Sequence, residues 1–306
     1  MKNKIPLLIL AFMFILSCKQ NSNETLKVEN IKIDTTNLTI HRIDSLHTRR
    51  NIKNYDKSLV DYINSNPNKP SQEKNIIYLL PFGNIKPEID SIIQNNVDYL
   101  EVFFQLPVKV LPEVTFDEIL KNTKIKTRLV PEDDYYYFSK MKGEVPHTEN
   151  LREQIEASSF MNEYMLKNKP KDAIVVLGIT EQDIYNPKYN FLFGSSSLKD
   201  GVGVVSTYRL VDYGSETENT IRKVTSKQIA NMFSIKNVKD YECLLNFHSN
   251  IESQINGKNY LSPRALEKLK YAIGFDYNKR FKELEKYWES NENQKLAEYY
   301  KKAQIK

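Results

Sequence analysis

The chain has 306 residues, of which 40% are hydrophobic and 27% charged, so it is long enough to bury a sizeable core in one or two subdomains. Its net charge is +5, and acidic and basic residues are interspersed along the chain. No basic stretch typical of a nucleic-acid-binding surface stands out in this distribution, and we expect no nucleic-acid partner.

The first residues are typical of a targeting segment. Lys2 and Lys4 precede an apolar run over residues 5–15, which is too short for a transmembrane helix and predicts a signal peptide over residues 1–17. Ser17 lies directly before Cys18, a pattern that resembles a bacterial lipobox. In that interpretation Cys18 is lipidated and becomes the first mature residue. The alternative is a plain signal peptide followed by an incidental cysteine.

Lipidation of Cys18 predicts that the membrane is a partner and that the protein faces the periplasm or the cell exterior. Several acyl chains anchor a protein stably, whereas one chain gives marginal binding. The rest of the chain divides into a tether (residues 18–40), a helical preface with a loop (41–73) and one domain (74–306). We divide that domain into a sheet subdomain (74–233) and a helical C-terminal subdomain (234–306).

Strands and helices alternate through the first half of the domain. Residues 76–81 are a continuous apolar run, Pro87 begins an amphipathic helix, and residues 108–114 form a second strand. Residues 172–180 and 202–208 predict two more buried strands. This βαβ order predicts a mostly parallel sheet with flanking helices.

The second half is predominantly helical. Ile221, Val224, Gln228, Met232 and Ile235 share one stripe at helical spacing, and a tight segment with an apolar pair follows at residues 241–246. Further on, a serine N-cap and a proline predict a helix that begins near residue 262 and ends at a glycine at 274.

A helix followed by such a turn is the frame of a metzincin zinc site, in which HExxHxxGxxH supplies three ligands and a base above a Met-turn. The chain resembles the archaemetzincins, whose pattern is HExxHxxGxxHC, a spaced Cys, a Met-turn and a late CxxC. We align residues 232–236 with the family's helix end and residues 241–243 with its first later cysteine. The resemblance is strong over residues 172–276 and looser back to Asn75.

This alignment places other residues where the family has its zinc chemistry. The three ligand positions fall on Lys227, Asn231 and Asn237, and the base position falls on Gln228. The position of the motif glycine falls on Ser234, and that of the Met-turn methionine falls on Leu245. The structural zinc set falls on a valine, one cysteine, a serine and an alanine: Val238, Cys243, Ser262 and Ala265.

The resemblance implies an α/β fold of the metzincin type, with a twisted, mostly parallel five-stranded sheet and one antiparallel edge strand. It implies that this edge strand, which we place from Phe191 to Gly194, lines the cleft. It also aligns Arg152 and Gln154 with a family Arg-x-Gln, in a segment predicted as a helix over residues 150–167.

Zinc requires nitrogen or sulfur donors and one open position. Lys227 is an ammonium that repels a dication, the amides of Asn231 and Asn237 are poor donors, and Gln228 cannot take a proton from water. We therefore expect no catalytic residue, no metal and no cofactor at these positions. Cys243 is expected to be a small buried residue, and once Cys18 is acylated no intrachain disulfide is possible.

Three functional classes remain. The first is a catalytically inactive archaemetzincin-like lipoprotein. The second is an active zinc metallopeptidase with a rearranged site, for which the available histidines are His41, His47, His147 and His248, no two of them at i, i+4. The third is a carrier that pairs an extended peptide with the edge strand. A combination of the first and third is the preferred interpretation.

Lys227 carries a specific hypothesis. Its ammonium is expected to take over part of the positive charge of zinc, held by the side-chain oxygens of Asn231 and Asn237 or by a nearby carboxylate. A buried, unpaired ammonium is costly, so the alternative is that the side chain reaches solvent.

Overall fold

The computed structural model describes residues 55–132 and 150–304, all of which belong to one compact unit, Ile33–Lys306. Cys18, the signal peptide, the tether and the first part of the preface lie outside the described residues, as do His41, His47 and His147. Within the described ranges, no helix is both long enough and apolar enough to cross a membrane.

Within the described residues, nine strands form two sheets. In chain order they are β1 (Ile76–Pro81), β2 (Val108–Val110), β3 (Thr127–Pro131), β4 (Leu151–Glu156), β5 (Ala173–Thr180), β6 (Asp183–Asn186), β7 (Tyr189–Leu192), β8 (Gly194–Ser196) and β9 (Val202–Ser206).

The helices are α1 (Leu59–Asn64), α2 (Pro87–Phe104), α3 (Phe116–Asn122), α4 (Ala157–Phe160, continued by a π-helical turn, Met161–Met165), α5 (Glu216–Met232), α6 (Ile251–Ile255), α7 (Pro263–Ile273), α8 (Tyr277–Ser290) and α9 (Gln294–Ala303).

The larger sheet has the order β2-β1-β5-β9-β8. Its first four strands are parallel, and β8 pairs antiparallel with β9, so the predicted mostly parallel five-stranded sheet is confirmed. All eight residues of β5 and all five of β9 are buried, which explains why both strands are continuously apolar.

The predicted position of the edge strand is wrong by a few residues. The antiparallel edge strand is Gly194–Ser196, whereas Phe191 belongs to β7. β7 lies at the edge of the smaller sheet, whose order is β3-β4-β6-β7. Two short edge strands of different sheets therefore follow one another where a single strand was predicted from Phe191 to Gly194.

The predicted helix over residues 150–167 is also wrong at its start. Leu151–Glu156 is a strand, and the helix begins only at Ala157. Arg152 and Gln154 of this strand are buried because both bind the buried carboxylate of Asp183. This carboxylate accepts from Arg152 Nε at 3.1 Å and from Gln154 Nε2 at 2.6 Å. The burial of these two residues therefore comes from polar contacts, and not from the apolar face that a helix would need.

Each face of the larger sheet carries its own core. Ile77 and Leu79 of β1 point into a large cluster with α2, α5 and the C-terminal helices, whereas Tyr78 and Leu80 point into a smaller cluster with α3 and α4. This alternation is that of a strand buried on both faces.

Helix α7 begins and ends as predicted. Ser262 caps α7 by accepting from Ala265 N, and Gly274 ends this helix with a left-handed φ of 86°.

Residues 55–68, which we call the N-terminal strap, hold the C-terminal end of α5. The last carbonyls of a helix lack partners within the helix. Here Tyr62 Oη donates to Phe233 O at 2.6 Å and Asn68 Nδ2 donates to Met232 O at 3.1 Å. Asp56, 3% exposed, forms a buried ion pair with Lys268 of α7, which is 1% exposed.

We expect Asp56→Asn to lower the free energy of unfolding by about 3 kcal/mol, because it leaves the ammonium of Lys268 buried without a counter-charge. Chemical denaturation of the full chain measures this loss. The matched control is Glu298→Gln, which breaks an exposed i,i+4 pair with Lys302 and should give no measurable change. Equal stability of Asp56→Asn and wild type contradicts the assignment of Asp56 as the anchor of the strap.

Candidate functional site

One cleft of about 1100 Å³ brings together the residues aligned with the zinc motif. Lys227, Gln228 and Asn231 enter it from α5, and Asn237 enters from the following loop. The opposite wall is the segment from Tyr189 to Ser196, which includes β7 and β8. The structure therefore gathers all four positions that the alignment matches to the zinc ligands and the base.

Helix α5 presents these side chains because positions i and i+4 of a helix lie on one face. Lys227 and Asn231 have this spacing, and Gln228 adjoins them. The helix is buried from Thr220 to Ala230 without interruption, so its polar face is also packed against protein.

The chain turns at Ser234, whose φ is 66°. Left-handed backbone favours glycine, which is the residue that the family has at this position. The Ser234 hydroxyl donates to Leu198 O at 2.6 Å and accepts from Asn68 N at 3.0 Å. The turn brings Asn237 back to the cleft, as the alignment predicts, and Asn237 O accepts from Asp56 N at 2.8 Å.

Lys227 is 8% exposed, and its ammonium donates to the main-chain oxygen of Asn246. The expected partners, the side-chain oxygens of Asn231 and Asn237 or a carboxylate, are wrong, because the lysine extends toward the turn that follows the helix. Burial lowers the pKa of Lys227 from 10.5 to about 8. The side chain does not reach solvent.

Gln228 is held against the edge strand. Its Oε1 accepts from Ser196 Oγ at 2.9 Å. A Cβ added at Gly194 would lie 2.9 Å from Gln228 Cγ, so the absence of a side chain at Gly194 is what permits this packing.

The two asparagines present unmatched acceptors. The Oδ1 atoms of Asn231 and Asn237 are both buried, and neither receives a hydrogen bond from residues 55–132 or 150–304. A buried acceptor without a donor costs about 1–3 kcal/mol. The cleft therefore contains two amide oxygens that a ligand with N–H groups would satisfy.

Asn246 organises the turn below the helix, and sequence reasoning missed it. Its side chain accepts from Cys243 N at 2.7 Å and donates to Val238 O at 3.0 Å and Tyr241 O at 2.8 Å. An asparagine after an apolar pair is a turn signal that could have identified it. This network aims the carbonyl of Asn246 at Lys227.

The positions aligned with the structural zinc set are apolar packing. Val238, Cys243 and Ala265 belong to the large core cluster together with Leu245, and Ser262 is 1% exposed. Burial raises the pKa of the Cys243 thiol to about 11, so this thiol is protonated and inert at neutral pH. The expectation of a small buried residue is confirmed.

His248 lines the cleft close to two buried lysines, Lys227 and Lys223. Lys223, one turn before Lys227, is 1% exposed and donates to Ile255 O at 2.5 Å and Gly257 O at 3.3 Å. Burial and then the charges of Lys227 and Lys223 lower the pKa of His248 to about 3. His248 is therefore neutral at physiological pH and packed into the cleft wall.

These donors do not fit zinc. An ammonium and two neutral amides offer neither the nitrogen and sulfur ligands of a zinc site nor a base beside it. Across the described parts of the chain, no group of three or more His, Cys, Asp or Glu side chains is placed to hold a metal ion. The arrangement instead offers one cation and several amides, which suits binding of a polar ligand.

Asp183 does not line the cleft itself but is bonded to Arg209, which does. It is fully buried and accepts from Arg152, from Gln154 and from Arg209, whose Nη2 lies 3.0 Å from Asp183 Oδ2. Arg209 lines the cleft. Arg152 and Gln154, which were identified only through the family resemblance, therefore act through Asp183 to fix this wall.

Comparisons with known proteins found archaemetzincins among the similar sequences. The chain is 27% identical to archaemetzincin-2 of Mus musculus over 255 residues, covering 71% of this chain and 65% of the relative. It is 22% identical to the archaemetzincin of Pyrococcus furiosus over 215 residues, covering 67% of this chain and 97% of the relative. The chain thus spans less than two thirds of the length of the mouse relative.

The crystal structure of the Methanopyrus kandleri archaemetzincin aligns with a TM-score of 0.48 at 22% identity, covering 66% of this chain and 97% of that chain. No protein-family model matches the chain.

We expect Lys227→Met to raise the free energy of unfolding at pH 7 by about 1–3 kcal/mol, because it removes a buried ammonium whose pKa is depressed by burial. The unfolded chain binds more protons than the folded one between the folded pKa, about 8, and the unfolded value of 10.5. The free energy of unfolding of the wild type therefore increases relative to that of the variant as the pH rises through this window.

Urea denaturation at a series of pH values from 7 to about 10.5 measures the difference in free energy of unfolding between the variant and the wild type. This difference should decrease toward zero as the pH rises. Lys282→Met removes an exposed lysine of α8 and serves as the control, with no pH-dependent difference from wild type. A gap that stays constant with pH contradicts a charged, desolvated Lys227.

Proposed function

Because the chain belongs to the archaemetzincin family, we propose that it is a catalytically inactive member that binds extended peptide segments in the cell envelope. The observation that carries the proposal is the composition of the cleft: an open strand edge, β8, faces Lys227, Gln228 and Asn231.

Inactivity follows from the chemistry of the aligned residues. The ammonium of Lys227 repels a dication, and the amide of Gln228 cannot accept a proton from water. Gln228 is also engaged by Ser196, and Lys227 by Asn246. Neither an amide nor an ammonium can act as the base that activates a water molecule.

Peptide binding follows from the register of β8. Ser206 N donates to Phe193 O at 3.0 Å and Ser197 N donates to Val202 O at 2.9 Å, so the odd-numbered residues of this segment face β9. In an antiparallel ladder the alternate residues, Gly194 and Ser196, direct their N–H and C=O groups to the other side. A peptide added there as a strand would satisfy these groups.

Anchoring at Cys18 supports the place of action. Lys2, Lys4 and the short apolar run before Ser17 form the leader of a lipoprotein, which holds the folded part at the membrane surface. The cleft would then meet peptides outside the cytoplasm.

We expect the protein, prepared without a polyhistidine tag, incubated with zinc and dialysed, to retain far less than one zinc per chain by elemental analysis. The variant Lys227→His, Gln228→Glu, Asn231→His, Asn237→His restores the family pattern on the same backbone and should retain about one zinc. Stoichiometric zinc with chelator-sensitive peptide cleavage by the wild type would overturn inactivity and favour an active metallopeptidase with a rearranged site.

We expect Ser196→Pro to abolish retention of a pool of N-acetylated random hexapeptides in equilibrium dialysis. Proline removes an N–H that faces the cleft and is tolerated at a strand edge when that N–H has no ladder partner. Ser196→Ala is the matched control: it removes the hydroxyl and keeps the N–H, so it should bind like wild type. Retention by Ser196→Pro equal to that by Ser196→Ala argues against strand addition at β8.

We expect Cys18→Ala to release the protein from the membrane fraction or to block its processing, because the acylated thiol is missing. Cys243→Ala, which changes the other cysteine, should fractionate with membranes like wild type. Fractionation and electrophoretic mobility of the three proteins decide this. If Cys18→Ala is processed and bound to the membrane like the wild type, the proposed lipidation of Cys18 is wrong.

A further inference from the structure

Helix α5 carries two buried ammonium groups without a carboxylate partner among the described residues, and one of them, Lys227, lines the cleft. Lys227 and Lys223 lie one helical turn apart, and each ammonium is hydrogen-bonded to main-chain oxygens. Neither forms an ion pair in the described part of the chain. Glu216 is the carboxylate whose charge reaches Lys223, and no carboxylate has this effect on Lys227.

The ammonium of Lys227 has donors to spare. An ammonium has three N–H groups, and that of Lys227 has a single acceptor, Asn246 O, among the described residues. Desolvation of a cation is compensated only when its hydrogen bonds and its charge are both matched. A ligand with an anionic oxygen would match both.

The neighbouring amide oxygens lack a hydrogen-bond donor among the described residues. Oδ1 of Asn231 and of Asn237 are buried acceptors without a donor in residues 55–132 and 150–304. Asn231 is at i+4 from Lys227 on the same helix face, and both asparagines line the cleft with it. One small region therefore combines free donors on a cation with free acceptors on amides.

We infer that Lys227 anchors the C-terminal carboxylate of a bound peptide, while Asn231 or Asn237 accepts the N–H of the peptide's last amide. This inference rests on the proposed peptide-binding function and specifies its ligand. A chain end carries a carboxylate and an amide N–H on the same Cα, so one ligand offers an anionic acceptor to the ammonium and a donor to an amide oxygen. An aspartate or glutamate side chain separates its carboxylate from the backbone N–H by further bonds.

The charge of the cleft agrees with this ligand. Its lining includes Lys227 and Lys236 and one carboxylate, Asp212, while Arg209 is paired with Asp183. The low pKa of His248 keeps it neutral, so it neither competes for the carboxylate nor titrates at physiological pH. The preceding residues of the peptide would extend along β8.

The experiment compares three pools of N-acetylated hexapeptides randomised over uncharged residues. One pool ends in a free carboxylate, one in a carboxamide, and one in a carboxamide with a single aspartate at a fixed position. The purified full-length protein is equilibrated with each pool, and the bound peptides are quantified by mass spectrometry. The strongest peptide is then resynthesised as acid and as amide for calorimetric titration.

We expect the acid to bind about tenfold or more tightly than its carboxamide, because a buried hydrogen-bonded charge pair is lost in the amide. Lys227→Met should abolish this preference. Lys169→Met is the matched control, since Lys169 is also a partly buried ammonium, bonded to Ile174 O and Asp200 O, and it does not line the cleft. It should keep the preference.

Each other outcome is informative. Equal binding of acid and amide overturns this inference and leaves peptide binding intact. Retention of the aspartate pool as strongly as the acid pool overturns the assignment to a chain end. A preference that persists in Lys227→Met removes Lys227 from the site. Retention of none of the three pools overturns the proposed function itself and this inference with it.

Discussion

The structure depends on one constraint: its central helix is buried on every side although much of its sequence is polar. From Thr220 to Ala230 the helix α5 has no exposed residue. A polar side chain that is buried must be hydrogen-bonded, or it costs several kcal/mol. Three of the long polar side chains of the helix therefore hold neighbouring segments. Arg222 binds Asn96 of α2, Lys223 binds the carbonyls after α6, and Gln228 binds Ser196 of β8.

Much of this frame is predictable from sequence because it follows from apolar periodicity. The stripe from Ile221 to Met232 and the runs of β5 and β9 are buried as the patterns require. The turn at Ser234 was placed only through the family resemblance, and its left-handed φ of 66° agrees with a glycine position. The four cleft residues follow from the helix and this turn together.

The sequence-based predictions that were wrong concern residues whose burial depends on polar partners. A strand at Leu151–Glu156 and an edge at Gly194–Ser196 are invisible to apolar spacing, because Asp183 buries Arg152 and Gln154, and because two short strands of different sheets adjoin. The partner of Lys227 was missed for the same reason. Its acceptor is a main-chain oxygen, whose direction is set by the side-chain network of Asn246 and not by any residue type that a sequence displays.

A lysine at a position aligned with a zinc ligand changes what the cleft can recognise while keeping its sign of charge. A metal ion with an open position polarises the oxygen of a substrate, whereas an ammonium donates hydrogen bonds to an oxygen that is already anionic. The backbone that would present three ligands instead presents one cation and two amide oxygens, all at the cleft floor beside an open strand edge. Because strand pairing is independent of peptide sequence and the cation is specific for an anion, such a cleft would select its ligands by their charge and their chain ends more than by their side chains.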